Sequence, residues 1–143
     1  MRLLPPLLLL PSLLCGCASD TTTLFEVELR GVITYGAEVG PVEVQVHFEE
    51  AGEGELNHPL GEIDRFWTAL DTPFVFAFDY PQDEGVGLIV YAWYDADDDG
   101  VLCAPGQVDE PAGLIVVPGF PLHDVDVDMD VGVRCQGPED LLP

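Results

Sequence analysis

Residues 124–131 read DVDVDMDV, and this stretch decides the fold. Val125, Val127, Met129 and Val131 alternate with Asp124, Asp126, Asp128 and Asp130. An extended strand sends successive side chains to opposite faces, so the segment has one face for a core and one for water. A row of carboxylates on the wet face also discourages edge-to-edge pairing with another chain. The competing reading of the row is a second ion-binding ladder. Asp124 would then serve a nearby acidic turn, if this strand lies beside it.

The same period of two recurs upstream. In LFEVELRGVITY (24–35), Phe25, Val27, Leu29 and Ile33 alternate with Glu26, Glu28, Arg30 and Thr34. In VEVQVHFE (42–49), Val42, Val44, Val46 and Phe48 alternate with Glu43, Gln45, His47 and Glu49. FVFAFDY (74–80) puts Phe74, Phe76, Phe78 and Tyr80 on one face, and GLIVYAWY (87–94) is apolar on both. The latter is the pattern of a central strand covered on each side. GLIVV (113–117) and a less regular segment around Ile63 to Leu70 bring the expected count to seven strands. EAGEGELNHPLGE (50–62) reads as a long flexible loop, and residues 71–73 and 81–85 break the chain again. No segment sustains a helical period. Many short strands with turns between them argue for a single all-β sandwich spanning 24–135, followed by a flexible tail, 136–143.

The chain opens MRLLPPLLLLPSLLCGCASD: one Arg, an apolar run, then small residues. That is the layout of a secretory signal, and the run falls short of the roughly 20 residues needed to span a bilayer. Leu14-Cys15-Gly16-Cys17 resembles the bacterial lipobox, with Gly16 preceding the cysteine and Leu14 three places before it. Cys15 departs from the pattern, where a small or hydroxylated residue is commoner. The resemblance implies removal of 1–16, acylation of Cys17 and a tether over 17–23. The partner would then be a lipid bilayer, held by acyl chains. Ala18 after the cysteine, rather than Asp, points toward the outer membrane or cell surface. The other reading is plain secretion with cleavage after Ala18.

Four Arg and no Lys face 27 acids, for a formal charge of −23. Nucleic acid is thereby excluded as a partner, since phosphate binding needs cations. The field attracts positive ions instead. With Cys15 and Cys17 assigned to the signal and anchor, Cys103 and Cys135 remain as an even pair in an oxidising compartment. Their disulfide is worth about 3.7 kcal/mol by the loop-entropy relation.

Gly31 to Ile33, Phe74 to Phe78 and Val90 to Asp95, which runs V-Y-A-W-Y-D into an Asp-rich loop, resemble transthyretin-like and carboxypeptidase-regulatory-like sandwiches. The resemblance implies a seven-stranded immunoglobulin-like fold and carries no catalytic residues with it.

The Asp-rich loop is YDADDDGVLCAPG (94–106). With Asp95 as position 1, Asp97 falls at 3, Asp99 at 5, Gly100 at 6 and the Val101 carbonyl at 7. This is the first half of an EF-hand-type Ca²⁺ loop, in which alternating carboxylates curl around a hard cation and Gly makes the turn. Position 12 is Gly106 rather than Glu, so the shell must be completed from elsewhere. Asp109 and Glu110 are the nearest candidates, with Asp98 or water as fallbacks. The plainer reading is a solvated acidic turn in a chain that is acidic throughout. As a cofactor, Ca²⁺ would be structural, neutralising like charges beside Cys103.

His47, His58 and His123 have no zinc-site spacing and read as surface residues. Beyond the signal the chain has one Ser, Ser19, and no Lys, so serine-triad and Schiff-base chemistry lack a nucleophile. No phosphate cradle and no HExxH occurs. A carboxylate pair acting as in glycosidases is the enzymatic alternative, but nothing singles out two of the 27 acids, and Cys103 would be a nucleophile only if unpaired; the expectation is therefore a non-enzymatic protein. It is either an envelope scaffold that docks another envelope protein or a module that binds a glycan or small ligand. Trp67, Trp93, Tyr94 and Tyr35 discriminate: exposed together they favour sugar stacking, buried they favour the scaffold.

Overall fold

A computed structural model describes residues 23–49, 59–81, 87–119 and 124–142. The signal segment 1–16, Cys17, the tether to 22, His58, His123 and most of the 50–62 loop lie outside the described residues.

The alternating segments become strands. In chain order these are β1 (Leu24–Thr34), β2 (Pro41–Glu49), β3 (Pro59–Ala69), β4 (Phe74–Pro81), β5 (Gly87–Tyr94), β6 (Pro111–Pro118), β7 (Asp124–Asp130) and β8 (Val133–Arg134). One turn of helix, α1 (Pro138–Leu141), follows. The strands form two sheets, ordered β4-β1-β7 and β3-β2-β5-β6-β8, which pack as an all-β sandwich.

Three expectations need correction. The described strands number eight rather than seven. The extra one is the two-residue β8, which pairs with Pro111 and Ala112 and is too short for alternation to reveal. Residues 59–62, expected in the flexible loop, belong to β3. Gly61 had disguised that strand: a Cβ there would lie 2.0 Å from the Phe48 ring, so a larger residue would have to displace the ring. The segment 136–142 holds α1 rather than a bare tail. Leu141 packs on Tyr91, Trp93 and Ala112, and the Tyr91 hydroxyl donates to the Gln136 carbonyl at 2.9 Å.

The core lies between the sheets. Val27, Leu29 and Ile33 of β1 and Val125, Val127 and Met129 of β7 face Val42, Val44 and Val46 of β2 and Leu88, Val90 and Ala92 of β5. Fully burying such a side chain stabilises by about 1.5–3 kcal/mol. Phe66 stacks on Phe76 at 4.2 Å between ring centroids and closes the side beneath β3 and β4. All eight residues of β5 are buried, as its two-sided apolar pattern requires. Gly31 is required where β1 meets β7, since a Cβ there would stand 1.8 Å from the Val127 carbonyl oxygen.

Strand direction places the acidic turn. β7 runs parallel to β1, with Glu28 beside Asp124 and Thr34 beside Asp130, whereas β5 runs antiparallel to β2, with Tyr94 opposite Val42. The ends of β1, β5 and β7 therefore share one pole of the sandwich, where Asp95 N–H donates to the Pro41 carbonyl and Val131 N–H to the Thr34 carbonyl. Asp124 lies at the far end of β7, about 20 Å of extended chain from that pole. It pairs with Arg30 there and cannot serve the turn.

Candidate metal centre

The turn leaves β5 at Tyr94 and rejoins the sheet at Pro111. Its shape follows from carboxylates bonding to backbone N–H groups. Asp95 accepts from Asp99 N–H at 3.1 Å and Gly100 N–H at 2.9 Å, and Asp99 accepts from Val101 N–H at 2.8 Å. The curl needs left-handed backbone at Asp98 (φ 58°) and Gly100 (φ 73°), conformations that Asp tolerates and glycine adopts freely.

Glu110 closes the loop from its other end. Its Oε1 accepts Ala96 N–H at 3.1 Å and its Oε2 accepts Cys103 N–H at 2.6 Å, so one carboxylate ties both limbs. It is 1% exposed. Burial raises its pKa; the N–H donors of Cys103 and Ala96 lower it, and Asp95 and Asp97 push it up again.

The result is a convergence. One oxygen from each of Asp95, Asp97, Asp99 and Glu110 can be chosen so that all four lie within 4.8 Å of one another. These four side chains can therefore hold a metal ion. Calcium–oxygen distances are about 2.3–2.6 Å, so oxygens on opposite sides of one ion stand about 4.6–5.2 Å apart, which accommodates this spread. Each carboxylate oxygen engaged by one N–H keeps a second lone pair for a cation.

Of the two expected closing residues, Glu110 is in the group and Asp109 is not. The exposed Asp109 carboxylate sits 3.5 Å from Arg134 and 3.7 Å from Cys135 Sγ. Val101 lies in the turn, with its N–H on Asp99. Asp98 points to a different feature: with Asp95, Asp99 and Gly100 it lines a cleft whose other wall is Pro41 and Trp67. The Cys103–Cys135 disulfide is formed, with a Cα separation of 5.5 Å.

The aromatic residues divide. Trp93 is 3% and Tyr94 8% exposed, Tyr35 is half-buried against Tyr94, and Trp67 alone stands 47% exposed. Trp67 meets Trp93 edge-on at 5.7 Å, because both lie opposite Glu43 in the β3-β2-β5 register. Sequence reasoning had no access to that pairing, which depends on two separate strand registers. It also missed the fate of His47. The ring, expected at the surface, is buried on the outer face of β2 and hydrogen-bonded to Gln45 at 3.1 Å. Gln45 in turn donates to Glu43 at 2.6 Å, and Arg65 adds a bond to the same carboxylate at 3.4 Å. The chain of polar groups runs along β2 itself, from His47 through Gln45 to Glu43, and Arg65 joins it from β3.

Compared with protein-family models, curated proteins and solved structures, the chain finds no match.

Proposed function

We propose that this chain is an exported lipoprotein, anchored through acylated Cys17 to the outer membrane or cell surface, whose sandwich is stabilised by Ca²⁺. The domain acts as an envelope scaffold that docks another envelope protein. The observation carrying the ion part is the convergence of Asp95, Asp97, Asp99 and Glu110 oxygens within 4.8 Å. Four carboxylates repel unless a cation or protons neutralise them, and hard oxygen donors select Ca²⁺ over softer metals. The export part is supported by the signal-like opening of the sequence and by a formed disulfide, a bond typical of oxidising compartments. Burial of Trp93 and Tyr94 supports a scaffold, since rings committed to packing cannot stack on sugars.

Terbium luminescence tests the ion. Trp67 shares its cleft with Asp95 and Asp99 and is placed to sensitise a bound lanthanide. Titration of the full chain should give Ca²⁺ competition in the 10⁻⁴ to 10⁻³ M range of extracellular modules. At 10 mM Ca²⁺ that affinity raises stability by about 1.4–2.7 kcal/mol, visible as a higher melting temperature. A chain that neither binds terbium nor melts later in Ca²⁺ would sink the reading.

A second reading has its own observation. The half-exposed indole of Trp67 beside three carboxylate-bearing residues suits a glycan whose apolar face stacks on the ring. Quenching of Trp67 fluorescence by monosaccharides, absent in Trp67→Ala, would favour it over the scaffold.

A further inference from the structure

Successive residues of a strand aim their main-chain groups at opposite edges, and for β6 both neighbours fix the phase. Asp95 N–H donates to the Pro41 carbonyl on the β2 side, so Ala92, Val90 and Leu88 of β5 turn their N–H and C=O toward β6. There they meet Gly113, Ile115 and Val117. Glu110 and Ala112 face the other way, and their carbonyls accept from the N–H groups of Cys135 and Gly132. Leu114 and Val116 share that outward phase, but β8 spans only Val133–Arg134, opposite Ala112 and Pro111. Among the described residues no strand lies beyond Ala112 to take the N–H and C=O of Leu114 and Val116.

This edge also lacks a guard. Among the described residues the other long open edges carry charge or proline: β7 its four Asp, β3 Glu62, Asp64 and Arg65, and β4 Asp79 and Pro81. Such residues deter the addition of a further strand. From Gly113 to Val117 there are none, and Ile115, Val116 and Val117 favour extended pairing. Beside the edge lies a groove of about 320 Å³, lined by Gly113, Leu114, Asp130, Val133 and Leu141. Asp130 is exposed, as are Glu139 and Asp140 next to Leu141, so the groove pairs apolar walls with negative charge.

We infer that a partner protein adds a strand to β6 along residues 113–118, and that its segment is extended, alternates apolar side chains and carries Lys or Arg. The inference rests on the scaffold reading above and gives it a surface and a partner chemistry. The main-chain groups of Leu114 and Val116 bond the incoming backbone, as in other cases of strand addition. Its apolar side chains pack beside Leu114 and Leu141, and its cation meets Asp130. A second copy of this chain suits the edge poorly. It would bring another body of formal charge −23 against the same acids.

The test uses the full chain and a short capped peptide alternating valine and lysine. Two control peptides accompany it, one N-methylated at every residue and one with glutamate for lysine. Calorimetry reads the affinity, and amide hydrogen exchange reads the place. The lysine peptide should bind and slow exchange of the Leu114 and Val116 amides. Val116→Pro removes one outward donor and spares the ladder to β5, in which the Val116 N–H takes no part. That variant should bind the peptide roughly tenfold more weakly. The glutamate peptide should lose at least as much through like-charge repulsion, and the N-methylated peptide should not bind. Binding that leaves both amides unprotected, or that the N-methylated peptide matches, overturns the inference; so does equal affinity for the glutamate peptide. If Val116→Pro fails to fold, the N-methylated peptide on the native chain decides. A dimer in sedimentation that Val116→Pro dissociates makes a second copy the occupant and overturns the partner named here. Absence of lysine-peptide binding overturns the edge and leaves the scaffold reading standing. Quenching of Trp67 by monosaccharides would overturn the scaffold reading independently.

Discussion

Two segments of this chain carry aspartate at every second position, and they do opposite things with it. In β7, Asp124, Asp126, Asp128 and Asp130 all face water, while the residues between them are buried. A strand holds side chains two apart at about 7 Å, too far for one ion to bridge, and high-dielectric water around them keeps their repulsion weak. In the turn after β5, Asp95, Asp97 and Asp99 have the same spacing, yet their oxygens draw together with that of Glu110. The difference is backbone. The strand is extended throughout, whereas the turn has left-handed residues at Asp98 and Gly100 and carboxylates that bond their own loop's N–H groups. Alternating acids do not converge by themselves; a chain that curls around them brings their oxygens together.

The largest effect that can break this contrast is Val127→Asp. It moves a carboxylate from the wet face of β7 to the dry one, where Val127 is 0% exposed and, among the described residues, no Arg is buried. Unpaired buried charge is among the few changes that exceed about 4 kcal/mol, so chemical denaturation should find this variant largely unfolded. A smaller pair of variants sharpens the contrast directly. Asp97→Asn should weaken terbium binding roughly tenfold by removing a ligand charge. Asp128→Asn, the same change on the strand, should leave the titration unmoved and stability within about 0.5 kcal/mol.

The smallest effect concerns pH and lies outside both acidic segments. Burial lowers the His47 pKa below 6.5; Glu62 opposes this and Arg65 adds to it. Between the folded and unfolded values the unfolded chain binds more protons, so stability rises with pH across that window. The contribution is whole above the unfolded value near 6.5 and is lost as pH falls through the folded one. Melting curves at pH 7.5 and 5.5 should therefore differ more for the native chain than for His47→Gln. An unchanged difference would mean that His47 does not titrate differently on folding.

Much of the sandwich was legible because alternation is local: Val125, Val127 and Met129 announce their face without reference to any other strand. The same holds for β5, whose unbroken apolar run placed it in the middle of a sheet. Legibility failed where identity was ambiguous. Pro59 and Gly61 read as loop residues, although the first tolerates a strand start and the second makes room for Phe48. Two-residue β8 carried no period at all. At the site, the D-x-D-x-D-G spacing singled out Asp95, Asp97 and Asp99, because a turn and its glycine are also local. Neighbours in sequence could not choose between Asp109 and Glu110.

By itself, then, the sequence determined an acidic all-β chain with a curled aspartate turn and two cysteines suited to pairing. Each of these is a property of adjacent residues and composition. Tertiary structure alone decided that Glu110 closes the turn and Asp109 turns to Arg134. It also decided that Asp124 sits at the wrong pole, and that Trp67 meets Trp93 across Glu43. Those outcomes depend on strand direction, register and a cross-link between distant residues, which no local pattern encodes.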